Sequence, residues 1–425
     1  MKQIVLSIIL AILVSLFFFP FNTVWLPTVN TKMALAAFAP ILLIINGARL
    51  GNSQFNHNLL ALSLCGLFVS FVGFIAVVYN NTHDYTYASY FISMWVWLGG
   101  AYVVIKAIQF AFGSASFQIV GNLLIIVSVI QCILAQIISH STLVADFVDS
   151  FMVSTGFMGK AEERLYGIGC ALDVAGMKFA AVLTIIAFLC QYQNPGYKRW
   201  LYILSFFIIS VFGSMISRTA IIGVFLSILL WVILYLYNSE RRQEIRSSLV
   251  SVLVFTLLLL PVIIYFYNTD VNFHSNIRFA FEGFFSLAEK GKWIVRSNQM
   301  MESMIVWPDN FKTWIIGDGY FENPTNDFYY TGPAYNYYMG VDTGYCRFLF
   351  YFGVIGLMAF SSVFIAATII CSKEMPKYAP VFWIILLLNF ICWVKVSSDI
   401  FPVYALFLWL SADAANRELS KQKQD

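Results

Sequence analysis

The chain has 425 residues, of which 60% are hydrophobic and 11% charged, with a formal net charge of +3. A soluble domain is about 45–50% apolar and about 25% charged, because its core must be covered by a polar surface. The composition excludes an ordinary soluble enzyme, a disordered chain and a nucleic-acid binder, and it leaves an all-α polytopic membrane protein.

Met1-Lys2-Gln3 and the apolar run to Phe19 have the outline of a signal peptide. Phe-Pro-Phe-Asn follows where a small-x-small cleavage site would stand, so the run reads as an uncleaved first span. A helix needs about 20 apolar residues to cross the hydrocarbon core. Runs near that length lie at about 3–21, 32–48, 58–79, 87–106, 117–138, 170–191, 199–215, 218–237, 248–267, 346–371, 379–395 and 399–412. These predict about twelve transmembrane helices in a single integral domain covering 1–425.

With the N-terminus in the cytoplasm, the inner ends and loops hold Lys2, Arg49, Lys106, Lys198, Arg199, Arg241, Arg242, Arg246, Lys373, Lys377, Arg417, Lys421 and Lys423. The short outer loops hold only Lys32, Lys160 and Arg164, with Arg218 at a membrane edge. That asymmetry places both termini inside. Residues 268–344 then form a 77-residue outer loop between the ninth and tenth spans. Ile277, Phe281, Phe284 and Ala288 repeat at helical spacing, as do Trp293, Met300, Met304 and Trp307. This predicts two amphipathic helices lying on the outer membrane surface or capping a cavity.

Ionisable groups within or beside spans are costly and point to function. The outer-side cations are Arg164, Lys178, Arg218, Arg278, Arg296, Arg347 and Lys395. Arginine fits phosphate bidentately and keeps its charge, so several at one membrane boundary suit a lipid-linked pyrophosphate. The bland alternative is snorkelling to phospholipid headgroups. For Lys178 the alternative is a salt bridge to Asp173. Asp342, Glu322, Asp327 and Asp173 are the carboxylates available as a general base, and Asp342 also stands where it would cap the following helix. Residues 318–345 hold nine aromatics in 28 positions, among them Tyr320 and Tyr345. They suit either sugar faces or an interfacial aromatic belt.

No metal or other cofactor is expected. Four scattered histidines form no HExxH, and seven cysteines form no CxxC. Cys170 and Cys346 both fall near the outer surface, where they could pair. No P-loop, GxSxG or Asp-x-Asp is present, so a transferase here would use a lipid-linked donor rather than a nucleotide sugar.

Four features, taken in order, resemble the O-antigen and capsule repeat-unit polymerases (the Wzy type) and their relatives, the O-antigen ligases. Ser217-Arg218-Thr219-Ala220 opens a span as the family's Ser-Arg-Thr/Gly-Ala element does. The large outer loop lies late in the chain. Within it, Arg296 to Pro308 and then Trp314 to Phe321 resemble the arginine helix and Gly-x-Gly turn. Asp342 to Gly356 resembles the element that enters a Gly-rich span. The resemblance covers about residues 160–370.

It implies a GT-C-like, metal-independent, inverting glycosyltransferase in the bacterial inner membrane, with its active site facing the periplasm. Donor and acceptor would both be undecaprenyl-pyrophosphate-linked glycans, and membrane lipids and a chain-length regulator are the other candidate partners. Arg218 and Arg296 would bind the pyrophosphate, and Asp342 would help deprotonate the acceptor. Arg164, Arg278, Lys178, Tyr320, Tyr345 and Arg347 would bind substrate. Ligases tend to carry a histidine where this chain has Asp342, which favours polymerase. A ligase acting on lipid A core or protein, and a lipid-linked oligosaccharide flippase, are the rival readings.

Overall fold

The computed structural model describes residues 2–50, 57–153, 165–192, 196–237, 239–324 and 337–410. These are mostly helical. One small antiparallel hairpin, Asn22–Thr23 against Leu26–Asn30, follows the first helix.

Among the described residues, eight helices are long and apolar enough to cross a membrane: His57–Tyr79, Tyr90–Phe112, Phe117–His140, Leu172–Cys190, Tyr197–Ile216, Thr219–Tyr237, Ser239–Thr269 and Gly344–Glu374. The chain is therefore a multi-pass membrane protein. The other four predicted runs form shorter apolar helices, Val5–Phe18, Thr31–Ile45, Pro376–Cys392 and Phe401–Leu410. Sequence accounts for their shortness. The second run is interrupted at Phe38, where one helix ends at Ala37 and the next begins at Ala39 with Pro40 in its first turn, the place where proline loses no helical hydrogen bond. The last run opens only after Asp399, whose carboxylate accepts from the Phe401 amide. Eight of the twelve predicted spans are thus helices of full crossing length among the described residues.

The chain divides into two compact units. The first comprises Met1–Ala37 and Tyr102–Trp293, and the second Phe38–Ala101 and Ile294–Asp425. The predicted 268–344 loop is split at Trp293 accordingly. In place of two amphipathic helices, its described residues form four short α-helices, Val271–Ala280, Glu282–Lys290, Arg296–Ser303 and Phe311–Ile315. Gly291, in the left-handed region at φ 66°, ends the second of them, as a glycine after a helix commonly does.

The first unit is built around Leu172–Cys190, which is buried on every face from Ala175 to Cys190. Small residues make that possible, since close helix packing in lipid depends on short side chains. Gly223 of Thr219–Tyr237 lies against the Ala180 backbone, where no Cβ would fit.

In the second unit Gly344–Glu374 is broken at Phe352 (φ −140°, ψ 17°) and Gly353 (φ 67°, ψ −169°). The break frees carbonyls that a continuous helix would use. Asp318 N–H donates to the Phe350 carbonyl at 2.6 Å and Gly319 N–H to that of Tyr351 at 3.0 Å. Backbone away from helical geometry is tolerated in a membrane protein where it is buried and paired like this.

Candidate functional site

Arg218 occupies the tight turn between Tyr197–Ile216 and Thr219–Tyr237. The turn rests on the start of Leu172–Cys190. Asp173 Oδ1 accepts from Ser217 Oγ at 2.9 Å and from Thr219 Oγ1 at 2.6 Å, so both neighbours of Arg218 donate to one carboxylate oxygen. Gly176, nearly one turn further along, leaves room for them: a Cβ there would lie 2.6 Å from Ser217 Oγ and 2.8 Å from Thr219 Cβ. Asp173, a candidate base in the sequence, is thus engaged with these two hydroxyls.

The Arg218 guanidinium meets Glu282 at 2.7 Å, with 14% of the arginine side chain and 29% of the glutamate exposed. Its Cζ lies 4.1 Å from the centre of the Phe279 ring, within cation–π range. Arg278 is held nearby in sequence, pairing with Glu289 at 2.8 Å and standing over Phe285 at 4.9 Å. Glu282 and Glu289 are seven positions apart on Glu282–Lys290, which puts them on one face of that helix. A single short helix thus supplies a carboxylate to each arginine. Tyr267 stacks on His274 at 4.2 Å and near-parallel to Phe285 at 5.8 Å, tying the short helices to the end of Arg242–Thr269.

Lys178 is 3% exposed. Its ammonium stands 5.6 Å from the Phe18 ring centre and 5.3 Å from that of Phe19. It is a buried cation inside the first unit. Burial pushes the Cys170 thiol up, and the Lys178 charge opposes that. All seven cysteines are free, so the Cys170–Cys346 bond is not formed. Arg164 lies outside the described residues, as do positions 325–336 of the aromatic stretch.

The remaining predicted residues belong to the second unit. Arg296 is the first residue of Arg296–Ser303, is exposed, and has no acid in the first turn beside it. A cation there opposes the helix dipole, so helix stability does not explain it. Asp342 is half-buried and stands one position before Thr343, the N-cap residue of Gly344–Glu374. Burial raises the Tyr337 hydroxyl, and the Asp342 charge adds to it.

Arg347 is 7% exposed. It lies between Phe321 and Tyr337, at 3.5 and 4.3 Å from their ring centres. Its Nη1 donates to Ser397 Oγ at 3.0 Å and its Nη2 to the Phe321 carbonyl at 3.1 Å. Arg347 therefore pins the 321 segment and the break after Cys392 to the start of Gly344–Glu374. Tyr320 stacks on Tyr338 at 5.2 Å, and Tyr345 donates to the Phe390 carbonyl at 2.9 Å. These contacts are structural ties, whatever else the residues do.

Sequence reading missed several participants. Asp318 accepts from Lys312 at 2.5 Å and from Thr313 at 2.6 Å. Asp84 accepts from the Phe321 amide at 2.7 Å, and its carbonyl accepts from Tyr351 at 2.7 Å. Burial pushes the Tyr87 hydroxyl well up, with Asp399 adding and Arg347 opposing. Nothing local marks Asp84. The seven-residue spacing of Glu282 and Glu289 was the one signal open to reading. Among the described residues no group of three or more His, Cys, Asp or Glu could hold a metal ion. The chain matches no protein-family model, no curated protein and no solved structure.

Proposed function

We propose that this chain is a membrane-embedded glycosyltransferase that joins undecaprenyl-pyrophosphate-linked oligosaccharide repeat units into surface polysaccharide. In this reading it crosses the bacterial inner membrane twelve times with both termini in the cytoplasm, and reaction occurs on the periplasmic side. The acceptor hydroxyl attacks the donor's anomeric carbon. The bond from that carbon to the pyrophosphate oxygen breaks, and the pyrophosphate leaves with the electron pair. The hydroxyl proton passes to a carboxylate, for which Asp342 is the candidate. Arg218 stabilises charge on the leaving group, the electrostatic contribution that is usually largest in such reactions, and Arg296 is the second cation proposed for it.

One observation carries the reading. Arg218 sits on a braced turn between two spans, sparingly exposed, with its guanidinium already engaged by a carboxylate. A guanidinium held in place at a membrane boundary is suited to binding an anion, and Glu282 is the partner that such an anion would displace. The test is Arg218→Ala and Arg296→Ala, each scored on the surface-glycan ladder. Loss of long chains with single-repeat glycan retained is expected. Normal long chains at wild-type protein levels would sink the reading, and loss of even the single repeat would indicate a ligase.

A second reading, transport of a lipid-linked oligosaccharide, draws on the break at Phe352–Gly353, since transporters place broken helices at their binding sites. Lengthening of lipid-linked glycan by the purified chain in detergent would exclude transport alone.

A further inference from the structure

We infer that Asp173 is a positioning residue for Arg218, acting through the hydroxyls of Ser217 and Thr219. The inference rests on the reading of Arg218 as the anion-holding group. Arg218 and Ser217 are the two residues between the helices Tyr197–Ile216 and Thr219–Tyr237, and the direction of the Arg218 side chain is set by the backbone on either side of it. Each flanking residue donates to Asp173 Oδ1, at 2.9 Å from Ser217 and 2.6 Å from Thr219. Both are 3% exposed. The Thr219 amide also donates to Ser217 Oγ at 3.3 Å, and the Ser217 amide to the Gly213 carbonyl at 2.8 Å. The turn is thereby closed on itself and clamped to a third helix.

The carboxylate itself has a firm base. Asp173 lies in the first turn of Leu172–Cys190, where the helix dipole favours a negative charge. Gly176 on the same helix permits the turn to approach. Hydrogen bonds to a charged acceptor are about twice as strong as neutral ones, so the clamp depends on the carboxylate being ionised and on both hydroxyls being present. The consequence is a fixed launching point for the Arg218 side chain, which then reaches Glu282 and the Phe279 face. A looser turn would spread the guanidinium over several directions and weaken its hold on any anion.

The experiment uses the full chain in detergent and measures modification of individual arginines by a dicarbonyl reagent, read by mass spectrometry, with and without inorganic pyrophosphate. The variants are Asp173→Asn, Thr219→Val and Thr219→Ser. Arg218 in Asp173→Asn and Thr219→Val should react at least about fivefold faster than in the wild type, because a lost hydrogen bond to a charged group is worth about tenfold or more. Thr219→Ser keeps the hydroxyl and should restore the wild-type rate. Arg199, 3% exposed in the same unit, is the internal control and should stay unreactive throughout. Unchanged Arg218 reactivity in Thr219→Val overturns the inference, as does a rise matched at Arg199, which would mean general loosening. Pyrophosphate protection is read separately. If it fails in the wild type while the reactivity pattern holds, the anion-site reading falls and the positioning role stands.

Discussion

The contact between Arg218 and Glu282 sets what a competing anion must displace. Glu282→Gln keeps the shape of the side chain and removes the charge. A partly exposed pair is worth about 1 kcal/mol, so pyrophosphate binding by the full chain should tighten about fivefold when its internal competitor is gone. Calorimetry or dicarbonyl protection would measure it, and equal or weaker binding would count against Glu282 as a competitor. Asp270 gives a pH-dependent case. Its carboxylate accepts from the Phe273 amide at 2.9 Å, capping Val271–Ala280, and stands 3.2 Å from His140. That backbone hydrogen bond, more than His140, holds its pKa below the ordinary carboxylate value. The cap is therefore present above the unfolded carboxylate pKa of about 3.9 and is lost as pH falls through the lower folded value. Asp270→Asn caps at any pH, so the wild type should lose thermal midpoint relative to this variant only in that acid range. Losing the cap outright, as in Asp270→Ala, should cost about 1 kcal/mol. Residues of this kind were legible only in part. Arg218 stood out because a charge beside an apolar run is conspicuous, whereas Glu282 and Asp84 owe their roles to partners far along the chain, and nothing in their neighbours announces that.

At the scale of elements, the apolar runs were legible because length and hydropathy alone define a span, and eight became helices long enough to cross. The breaks were not. In the sequence Gly353 is one glycine of a Gly-rich span, yet its φ of 67° and ψ of −169° belong to a region open essentially to glycine. A Cβ there would also strike the Ile315 carbonyl. Gly353→Ala should therefore cost more than about 3 kcal/mol, adding backbone strain to a backbone clash. Gly113 is the control. It too has positive φ, at 74°, but a Cβ would meet nothing within 4 Å, so Gly113→Ala should cost only about 1–2 kcal/mol. Thermal midpoints of the two variants would compare them, and equal losses would mean that the contact of Gly353 with Ile315 contributes nothing. The physical reason this was hidden is that a glycine in an apolar run reads the same whether it serves packing or a left-handed turn.

The whole molecule raises the question of how many helices cross. Pro376–Cys392 and Phe401–Leu410 are each short of the roughly 20 residues that one crossing requires. Their geometry within the second unit still assigns the connection between them a side. Tyr345 N–H donates to the Trp393 carbonyl at 3.1 Å, and a Cβ on Gly344 would lie 2.7 Å from the same oxygen. The end of Ala379–Cys392 therefore lies level with the start of Gly344–Glu374, and the two helices run antiparallel about the turn at Pro376–Tyr378. Whichever face of the membrane receives the segment before Gly344 also receives residues 393–396. In the twelve-span reading that face is the periplasmic one. Val394 is 50% exposed, so Val394→Cys offers a thiol at that level. An impermeant maleimide should label it in intact cells without permeabilisation. Labelling that requires opening the inner membrane would reverse the orientation derived from the basic residues, because the contacts at Gly344 would then carry the whole 338–343 segment, Asp342 included, to the cytoplasmic side.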